Sequence, residues 1–262
     1  MCRDLFPEER RVEIMKLLSR DGRVSVADLS QQFCVSEVTI RTDLQILSDQ
    51  SLIVRTHGGA VSASRSPDLS LTLRQQKQVL EKERIGAAAA GLIKNGDAIF
   101  LDTSSTALTL ARHLKTHHDL TVLTNSLAIA NSLLNAQGIT VVMPGGIMQR
   151  ETVSLTGTEG LDFLSRFNIK TGFFGAHGIT IAQGLTDVSP AEAEVKKHII
   201  SMCHEVIAIL DGTKWGLVGV ASFASIGNFQ HIITDTRAPA DLVDEIRRLG
   251  IEVTQVSIEL EQ

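Results

Sequence analysis

Apolar positions recur at helical spacing in the first fifty residues and predict three short helices. The first covers residues 8–20 and ends at Asp21-Gly22, the second covers 25–33 with Ser25 as its N-cap, and the third begins after Ser36. The inward-facing positions are Val12, Met15, Leu17 and Leu18 in the first helix, Val26, Leu29 and Phe33 in the second, and Ile40, Leu44 and Leu47 in the third.

Two short apolar runs follow the third helix, at Leu52–Val54 and Ala60–Val61, and they flank the segment RTHGG. This pattern predicts a two-stranded hairpin with a glycine turn. Three helices and a hairpin in about 60 residues are the plan of a winged helix-turn-helix. We therefore predict that residues 1–61 form such a domain, followed by a polar linker over residues 62–83 that runs into a helix.

From residue 84 onward the pattern changes to continuous apolar runs separated by helical segments, beginning with the helix RIGAAAAGLIK. Apolar strands that alternate with helices are typical of a parallel sheet covered on both faces. We predict an α/β domain over residues 84–262, with a Rossmann-like parallel sheet. The seven predicted strands lie at 98–102, 120–124, 139–143, 171–176, 206–211, 231–234 and 251–256.

The overall composition is that of a globular protein, and it shows no global positive charge. The 262 residues are 43% hydrophobic and carry a formal net charge of −5, so a nucleic-acid partner must be bound by a local patch. The first residues lack the apolar run of a signal peptide and no 18-residue apolar segment follows, which predicts a cytoplasmic protein. Neither a nucleotide-binding glycine motif nor a metal-ligand spacing is present, so no cofactor or metal is expected.

The outward face of the third helix is short, polar and carries one arginine. In a helix-turn-helix this helix enters the major groove, where Arg41 suits guanine and Thr42 and Gln45 suit smaller contacts. A simpler alternative is that Arg41 pairs with Asp43 or Glu37 on the surface, and Asp43 is expected to brace an arginine or the preceding helix. The complete set of predicted DNA-binding residues is Ser36, Glu37, Val38, Thr39, Arg41, Thr42, Gln45, Arg55 and His57.

The predicted DNA-binding region has no net positive charge, so its affinity for DNA must depend on the positions of its basic residues. Residues 1–57 contain eight Lys and Arg against nine Asp and Glu, so a DNA contact depends on where the cations lie and on pairing of two chains. Thr39 is placed for a phosphate, and Arg55 and His57 in the hairpin are placed for a neighbouring phosphate or the minor groove.

The segments VSEVTIRTDLQIL and VRTHGGAV resemble the N-terminal signature of the DeoR family of bacterial transcriptional regulators. The rest of the chain is similar to the sensor domain of that family across IFLDTSST, VLTNSLAIA, VVMPGG, FFGAHGI, GLT, EAEVKK and LDGTKWG. The resemblance implies a sensor fold related to ribose-phosphate isomerase and glucosamine-phosphate deaminase. It also implies a repressor of carbohydrate genes that a phosphorylated sugar releases.

Polar residues cluster directly after five predicted strands, where the ligands of open parallel sheets bind. The turn Ser104-Ser105-Thr106 offers hydroxyls and N–H groups to an anion, while Lys214, Lys196 and Arg150 are candidate phosphate contacts and Asp102 is a candidate acceptor for sugar hydroxyls. Each feature also has an ordinary explanation as a helix cap, a turn, a loop residue or a solvated helix position, Glu192 and Glu194 included. The predicted effector-binding residues are Asp102, Ser104, Ser105, Thr106, Asn125, Gly146, Arg150, His177, Glu194, Lys196 and Lys214.

The chain departs from the family pattern at two places. The usual D-S-G-T-T loop is D-T-S-S-T here, with Ser104 where a glycine normally lets phosphate approach the backbone. The usual D-S-S-K-F is replaced by Asp211-Gly212-Thr213-Lys214-Trp215. Ser104 therefore either narrows the predicted pocket or supplies an additional hydroxyl.

Two functions of different classes fit these residues. Asp102, Glu194 and Lys196 are residue types that move protons beside a carbonyl, which would suit a sugar-phosphate isomerase or deaminase with an accessory domain. A winged helix has no use in such an enzyme, so we predict a non-enzymatic transcriptional regulator. It is expected to bind double-stranded operator DNA as a dimer or larger homo-oligomer, with the helix from about Lys82 to Lys94 transmitting the effector signal.

Overall fold

The computed structural model of the chain describes residues 5–21, 23–49, 52–56, 58–62 and 70–259. The fold divides into two compact units, which meet in the sequence between Thr72 and Leu73. No helix within these described ranges is long and apolar enough to cross a membrane.

Before helix α4 (Leu71–Gln76), the described residues of the first unit form three helices and three short strands, which confirm the predicted winged helix-turn-helix. Strand β3 pairs with both β1 and β2 in antiparallel fashion. The wing is therefore a three-stranded sheet in which β1, a strand that the sequence pattern did not indicate, is added to the predicted hairpin. The elements are α1 (Pro7–Asp21), β1 (Arg23–Ser25), α2 (Val26–Phe33), α3 (Glu37–Asp49), β2 (Ile53–Thr56) and β3 (Gly59–Ser62).

The core of this unit is built from the apolar faces of the three helices. Ile40, Leu44 and Leu47 of α3 are all buried, as predicted. In α1 the prediction was partly wrong, because Val12 is 47% exposed and Ile14 is fully buried in its place. Leu17 is only partly buried. Among the described side chains of α1, the buried apolar residues are Ile14, Met15 and Leu18, and their spacing follows one helical face more closely than a set that begins at Val12.

Both predicted caps are present. The Ser25 side chain accepts a hydrogen bond from the backbone N–H of Asp28 at 3.0 Å, and the Ser36 Oγ accepts one from the N–H of Thr39 at 3.1 Å. Each cap satisfies an N–H group that would otherwise have no partner in the first turn. The caps therefore fix where α2 and α3 begin.

Helix α4 (Leu71–Gln76) spans the division between the units, and the second unit then follows the predicted alternation of strands and helices. Its helices are α5 (Val79–Ala90), α6 (Ser105–His113), α7 (Leu127–Leu133), α8 (Pro190–Ile200) and α9 (Ala240–Arg248). Its main strands are β4 (Ala98–Leu101), β5 (Leu120–Thr124), β6 (Ile139–Val142), β9 (Ile169–Phe174), β12 (Cys203–Ile209), β14 (His231–Asp235) and β15 (Glu252–Val256).

These seven strands form one parallel sheet in the order β15-β14-β12-β9-β4-β5-β6, which confirms the predicted α/β class. Neighbouring strands hold stacked aromatic side chains, since the rings of Phe100 and Phe174 lie 5.7 Å apart. Because all seven strands are parallel, the turns that follow their last residues lie along one edge of the sheet. That edge brings together the turns after β4, β5, β9 and β12.

Several elements of the second unit were not predicted. A small antiparallel sheet is formed by β10 (Gly178–Thr180), β11 (Gly184–Asp187) and β13 (Ala221–Ala224), and a separate hairpin by β7 (Ile147–Gln149) and β8 (Ser154–Thr156). The helix predicted at 84–94 lies earlier, at Val79–Ala90. It is preceded by α4, so both helices occupy part of the stretch that the sequence analysis assigned to a linker.

Candidate functional site

The outward face of α3 has the composition that the sequence predicts. Glu37, Val38, Arg41, Thr42 and Gln45 are all exposed, and Val38 is 68% exposed although it is apolar. Ser36 and Thr39 stand at the start of the same helix, where their hydroxyls lie 2.9 Å apart. His57, which was predicted to act with these residues, lies outside the described residues.

Ion pairs connect α3 to α1, and a further ion pair within α3 involves Arg41. Asp43 is buried and accepts a 2.6 Å hydrogen bond from Nε of Arg10, so it braces an arginine of α1 as expected. Arg41 pairs with Glu37 at 2.6 Å, which is the alternative that the sequence left open. Both partners of that pair are about half exposed, and such surface pairs contribute little to stability. Arg41 is therefore free to exchange Glu37 for another acceptor at small cost.

The hairpin side chain Arg55 is connected to the same helix. Its Nη1 donates to Oε1 of Gln45 at 2.5 Å, and Gln45 in turn donates to Asp49 at 2.7 Å. Arg55 is exposed, as are Gln45 and Asp49. The structure thus places Arg55 beside the predicted reading face of α3.

In the second unit, the side chain of Asp102 organises the turn after β4. Its Oδ1 accepts a hydrogen bond from the backbone N–H of Ser104 at 3.0 Å, and its Oδ2 accepts one from that of Gly175 at 2.9 Å. Asp102 is fully buried. These bonds tie the end of β4 to the end of β9, so the carboxylate is used for structure and has little capacity left for a sugar hydroxyl.

Lys196 of α8 is the cation at the centre of this edge, and the structure assigns it a different task from the predicted one. Its Nζ lies 2.9 Å from Oδ2 of Asp102 and 2.7 Å from Oδ2 of Asp187, and it donates to the carbonyl of Gly175 at 2.8 Å. The side chain is buried. Two carboxylates already balance its charge, so Lys196 is not the free phosphate contact that the sequence analysis expected.

The protonation states of this cluster follow from its charges. Burial alone would lower the pKa of Lys196, but the negative charges of Asp102, Asp187 and Glu192 outweigh it and raise that pKa above its ordinary value. Burial alone would likewise raise the pKa of Asp187. The charge and hydrogen bond of Lys196, together with the charge of Arg74, instead lower the pKa of Asp187. Lys196 and Asp187 are therefore both ionised at neutral pH.

Glu192, and not the predicted Glu194, belongs to this cluster. Oε1 of Glu192 accepts hydrogen bonds of 3.0 Å from the hydroxyls of Thr103 and Ser154. Glu194 is exposed and lies 3.4 Å from His198 on the surface of α8. Helical spacing explains the difference, because residues 192 and 196 lie one turn apart on the same face, whereas residue 194 points elsewhere.

The turn that precedes α6 has the form of a capped helix start. Ser104 Oγ accepts a hydrogen bond from the N–H of Ala107 at 3.1 Å, and the side chains of Ser105 and Thr106 are buried. A Cβ on Gly175 would lie 2.4 Å from Cβ of Ser104. Glycine at 175 therefore allows the ends of β4 and β9 to approach, and the serine that replaces the family glycine lies against it.

The other predicted effector residues divide into those at the sheet edge and those on loops. Asn125 is buried after β5, and its Nδ2 donates to the carbonyl of Leu155 at 2.9 Å. His177 is half-buried after β9. Gly146 and Arg150 flank β7 and are both exposed. A Cβ on Gly146 would lie 2.5 Å from the carbonyl oxygen of Thr156, so its glycine is explained by the β7–β8 hairpin.

Lys214 lies close to cations that were not among the predicted site residues, Lys82, Arg74 and Lys77. It ends the short 3₁₀ helix Gly212–Lys214 after β12 and is half-buried. Burial lowers the pKa of Lys82 on α5 to about 8, Asp211 opposes this shift, and the charges of Lys214 and Arg74 contribute to it. Lys82 Nζ donates hydrogen bonds to the carbonyls of Arg74 and Lys77. The turn after β12 thus faces the region where α4 ends and α5 begins.

The structure also reveals functional candidates that the sequence analysis missed: Arg74, Lys82, Thr103, Ser154, Asp187 and Glu192. Glu192 was recognisable from its one-turn spacing to Lys196. Arg74 and Lys82 were not recognised because they lie in a stretch without a repeated apolar face.

A surface cavity of about 810 Å³ lies beside the first residues of β12, and none of the predicted site residues lines it. Among the described residues, no group of three or more His, Cys, Asp or Glu side chains is arranged to hold a metal ion.

Comparisons with known proteins cover almost the whole chain. The model of the DeoR-like helix-turn-helix domain matches residues 10–66, and that of the DeoR C terminal sensor domain matches residues 77–236. The HTH-type transcriptional regulator GolR of Listeria innocua is 35% identical over 250 residues, which are 95% of this chain and 98% of GolR. The glycerol-3-phosphate regulon repressor of Escherichia coli K12 is 32% identical over 235 residues, 90% of this chain and 93% of that repressor.

A solved structure of ribose 5-phosphate isomerase from Methanocaldococcus jannaschii superposes with a TM-score of 0.39 at 18% identity, over 53% of this chain and 54% of that one. This likeness is too distant to bear on function. The matched models and these relatives describe transcriptional regulators, which confirms the predicted class over the alternative of a sugar-phosphate isomerase or deaminase. The chain belongs to the DeoR family of transcriptional regulators.

Proposed function

We propose that this regulator represses carbohydrate-metabolism genes in the cytoplasm, and that a phosphorylated sugar or sugar-like metabolite releases it from its operator. The observation that carries the proposal is the charged, polar edge of the second unit. There Lys196 and Glu192 of α8 and Asp187 at the end of β11 place three charged side chains in the interior of the unit. Buried charge of this density is unusual for a purely structural core and is frequent at ligand sites.

Operator binding is proposed for the exposed face of α3 together with the hairpin. Arg41, Thr42 and Gln45 are the proposed base contacts. The capped start of α3, with Ser36, Val38 and Thr39, is proposed to lie against the phosphate backbone that borders the major groove. Arg55 and His57 are proposed to reach an adjacent phosphate. Glu37 is the side chain that Arg41 leaves when it binds a base.

Effector binding is proposed for the edge formed by the turns after β4, β5, β9 and β12. The start of α6 at Ser104-Ser105-Thr106 supplies first-turn N–H groups that have no acceptor within the helix. Lys214 supplies charge, and Asn125 and His177 line the neighbouring strand ends. Arg150, Gly146 and Glu194 are exposed, and they belong to the proposal only as residues that a larger effector would reach.

The proposed form on DNA contains at least two chains, because a single reading helix with one arginine offers few contacts. Effector binding is proposed to change the spacing of the paired first units through α5, which has its N-terminus beside the edge. The coupling free energy of such a switch must appear equally in operator affinity and in effector affinity.

The proposal is tested with the full chain and labelled genomic operator DNA, taken from upstream of its own gene, in a fluorescence anisotropy titration. A panel of sugar phosphates, together with the polyol phosphate glycerol 3-phosphate, is then added to the complex, with the dephosphorylated compounds as matched controls. We expect one phosphorylated compound to raise the Kd for operator at least fivefold, while its dephosphorylated form has no effect. Operator binding that no member of the panel changes would contradict the proposed control by a sugar phosphate.

A further inference from the structure

The guanidinium of Arg74 is an incompletely satisfied cation beside the turn after β4. Its Nη2 makes one long hydrogen bond of 3.5 Å, to the carbonyl oxygen of Thr103. Its Nε is buried and has no hydrogen-bond partner among the described residues. Buried polar groups in native proteins are nearly always hydrogen-bonded, so an orphaned one indicates a missing acceptor.

The two atoms define the kind of acceptor that fits. Nε and Nη2 present their hydrogens along one edge of the planar guanidinium, the edge that binds two oxygens of a phosphate or carboxylate side by side. The described structure offers neither to this edge. A ligand with a phosphate group would satisfy the orphaned Nε and replace the long bond of Nη2 with a short one.

The surrounding charges favour a phosphate at this place. Lys196 is already balanced by Asp102 and Asp187, and the charge of Arg74 also acts on Asp187. Arg74, Lys77 and Lys214 all act on Lys82, where Asp211 is the opposing acidic group. Burial and the like charges of Lys214 and Arg74 lower the pKa of Lys82 to about 8. An arriving dianion would relieve this repulsion, which is a source of binding free energy that a neutral sugar does not provide.

Resting on the proposed function, we propose that Arg74 binds the phosphate of the effector with its Nε and Nη2, and that through this contact α4, which directly precedes α5, also responds to the effector. Helix α4 begins at Leu71, so it lies at the division of the chain into its two units. A ligand held by Arg74 on one side and by the turn after β4 on the other fixes α4 to the sheet edge. The chain that leads to the first unit is then held at a defined point.

The first test measures phosphate binding by the full chain without DNA, so that it does not depend on the regulatory function. Inorganic phosphate is titrated at constant ionic strength, with chloride as the reference anion, and the melting temperature is followed. We expect saturable stabilisation of the wild type, an apparent Kd at least tenfold higher for Arg74→Gln, and an intermediate Kd for Arg74→Lys, which retains charge but lacks the bidentate edge. The matched control is Arg248→Gln, on the exposed end of α9, which should bind phosphate as the wild type does.

The second test follows the amide hydrogen exchange of residues 71–79 with and without phosphate. Protection of this segment by phosphate in the wild type and its absence in Arg74→Gln is the expected result. Equal phosphate affinity in the wild type and Arg74→Gln, or no phosphate binding by the wild type, would overturn the assignment of Arg74. Phosphate binding through Arg74 without protection of α4 would overturn its responsive role. Failure of the operator experiment alone would leave both measurements valid and would contradict only the proposed function.

Discussion

Nζ of Lys196 lies 2.9 Å from Oδ2 of Asp102, and the same carboxylate oxygen accepts the N–H of Gly175. One ion pair therefore joins helix α8 to the ends of β4 and β9 at the carboxyl edge of the sheet. Asp187 of β11 forms a second ion pair with the same Nζ, through its Oδ2 at 2.7 Å. The stability of this edge depends on the balance of these three charges.

Replacing Lys196 by Met is expected to destabilise the second unit by about 3–5 kcal/mol, because two buried carboxylates lose their cation. Trp215 is the one tryptophan of the chain and is buried in the second unit, so its fluorescence during urea unfolding reports this unit. Lys197→Met, at the exposed neighbouring position, is the matched control and should change stability by less than about 0.5 kcal/mol.

The pH dependence of the unfolding free energy of Lys196→Met provides a second test of these charges. In the wild type the pKa of Asp187 is lowered, so its contribution is present above the ordinary pKa of an Asp and is lost as the pH falls through its lower folded value. In Lys196→Met the Asp187 carboxylate loses this cation, so burial should make it bind a proton more readily in the folded chain. The deficit of the variant should therefore shrink between pH 7 and 5, and a deficit that grows would contradict the assigned charges.

Replacing Gly175 by Ala should cost about 1–3 kcal/mol, because the added Cβ would lie 2.4 Å from Cβ and 2.6 Å from Oγ of Ser104. Ser104→Gly alone should cost only a few tenths of a kcal/mol, since glycine is tolerated as an N-cap. The double variant should recover most of the loss, and urea unfolding of all four proteins measures the coupling. Additive effects would show that the two residues do not meet in the native state.

Replacing Arg41 by Ala should weaken operator binding by about 1–3 kcal/mol and reduce discrimination at one base pair. The loss arises because Arg41 can leave Glu37 at little cost and donate two hydrogen bonds to a guanine edge. Anisotropy titrations with operator and random DNA separate the two effects, with Arg20→Ala on α1 as the control. An equal loss on both DNAs would mean that Arg41 contacts only the backbone.

The contribution of Lys82 to the unfolding free energy of the second unit should increase as the pH rises from about 8 to 10.5. Its pKa is lowered to about 8 in the folded chain, so the unfolded chain binds more protons in this window, and the gain is at most about 3 kcal/mol. Burial raises the pKa of Cys203 to about 12 and gives an opposite slope. This slope cancels when the wild type is compared with Lys82→Met.

The measurement is the free energy of unfolding from Trp215 fluorescence between pH 7 and 10.5. The difference between the wild type and Lys82→Met should vary with pH, whereas the difference between the wild type and Lys115→Met, at an exposed position, should stay constant. A pH-independent difference for Lys82→Met would show that this ammonium is not desolvated in the folded chain.

Local patterns were sufficient for the elements and the fold class. All seven strands of the main sheet were predicted, because a strand covered on both faces is a continuous apolar run that stands out in the sequence. The caps at Ser25 and Ser36 were predicted because a cap is a contact between residues three apart. The inward positions of α3 followed from helical periodicity alone. These features depend on residues that are close together in the sequence, and the sequence alone determines which residues those are.

The partners of the charged side chains were decided by the tertiary structure. The sequence could place Asp102 at a strand end and Lys196 on a helix, but it could not show that they meet and neutralise each other, since parallel strands bring together residues that are distant in the sequence. It selected Glu194 where the fold uses Glu192, and it assigned Arg74 to a linker. Which charge remains unbalanced at an edge depends on every side chain that packs there, and only the folded chain fixes that sum.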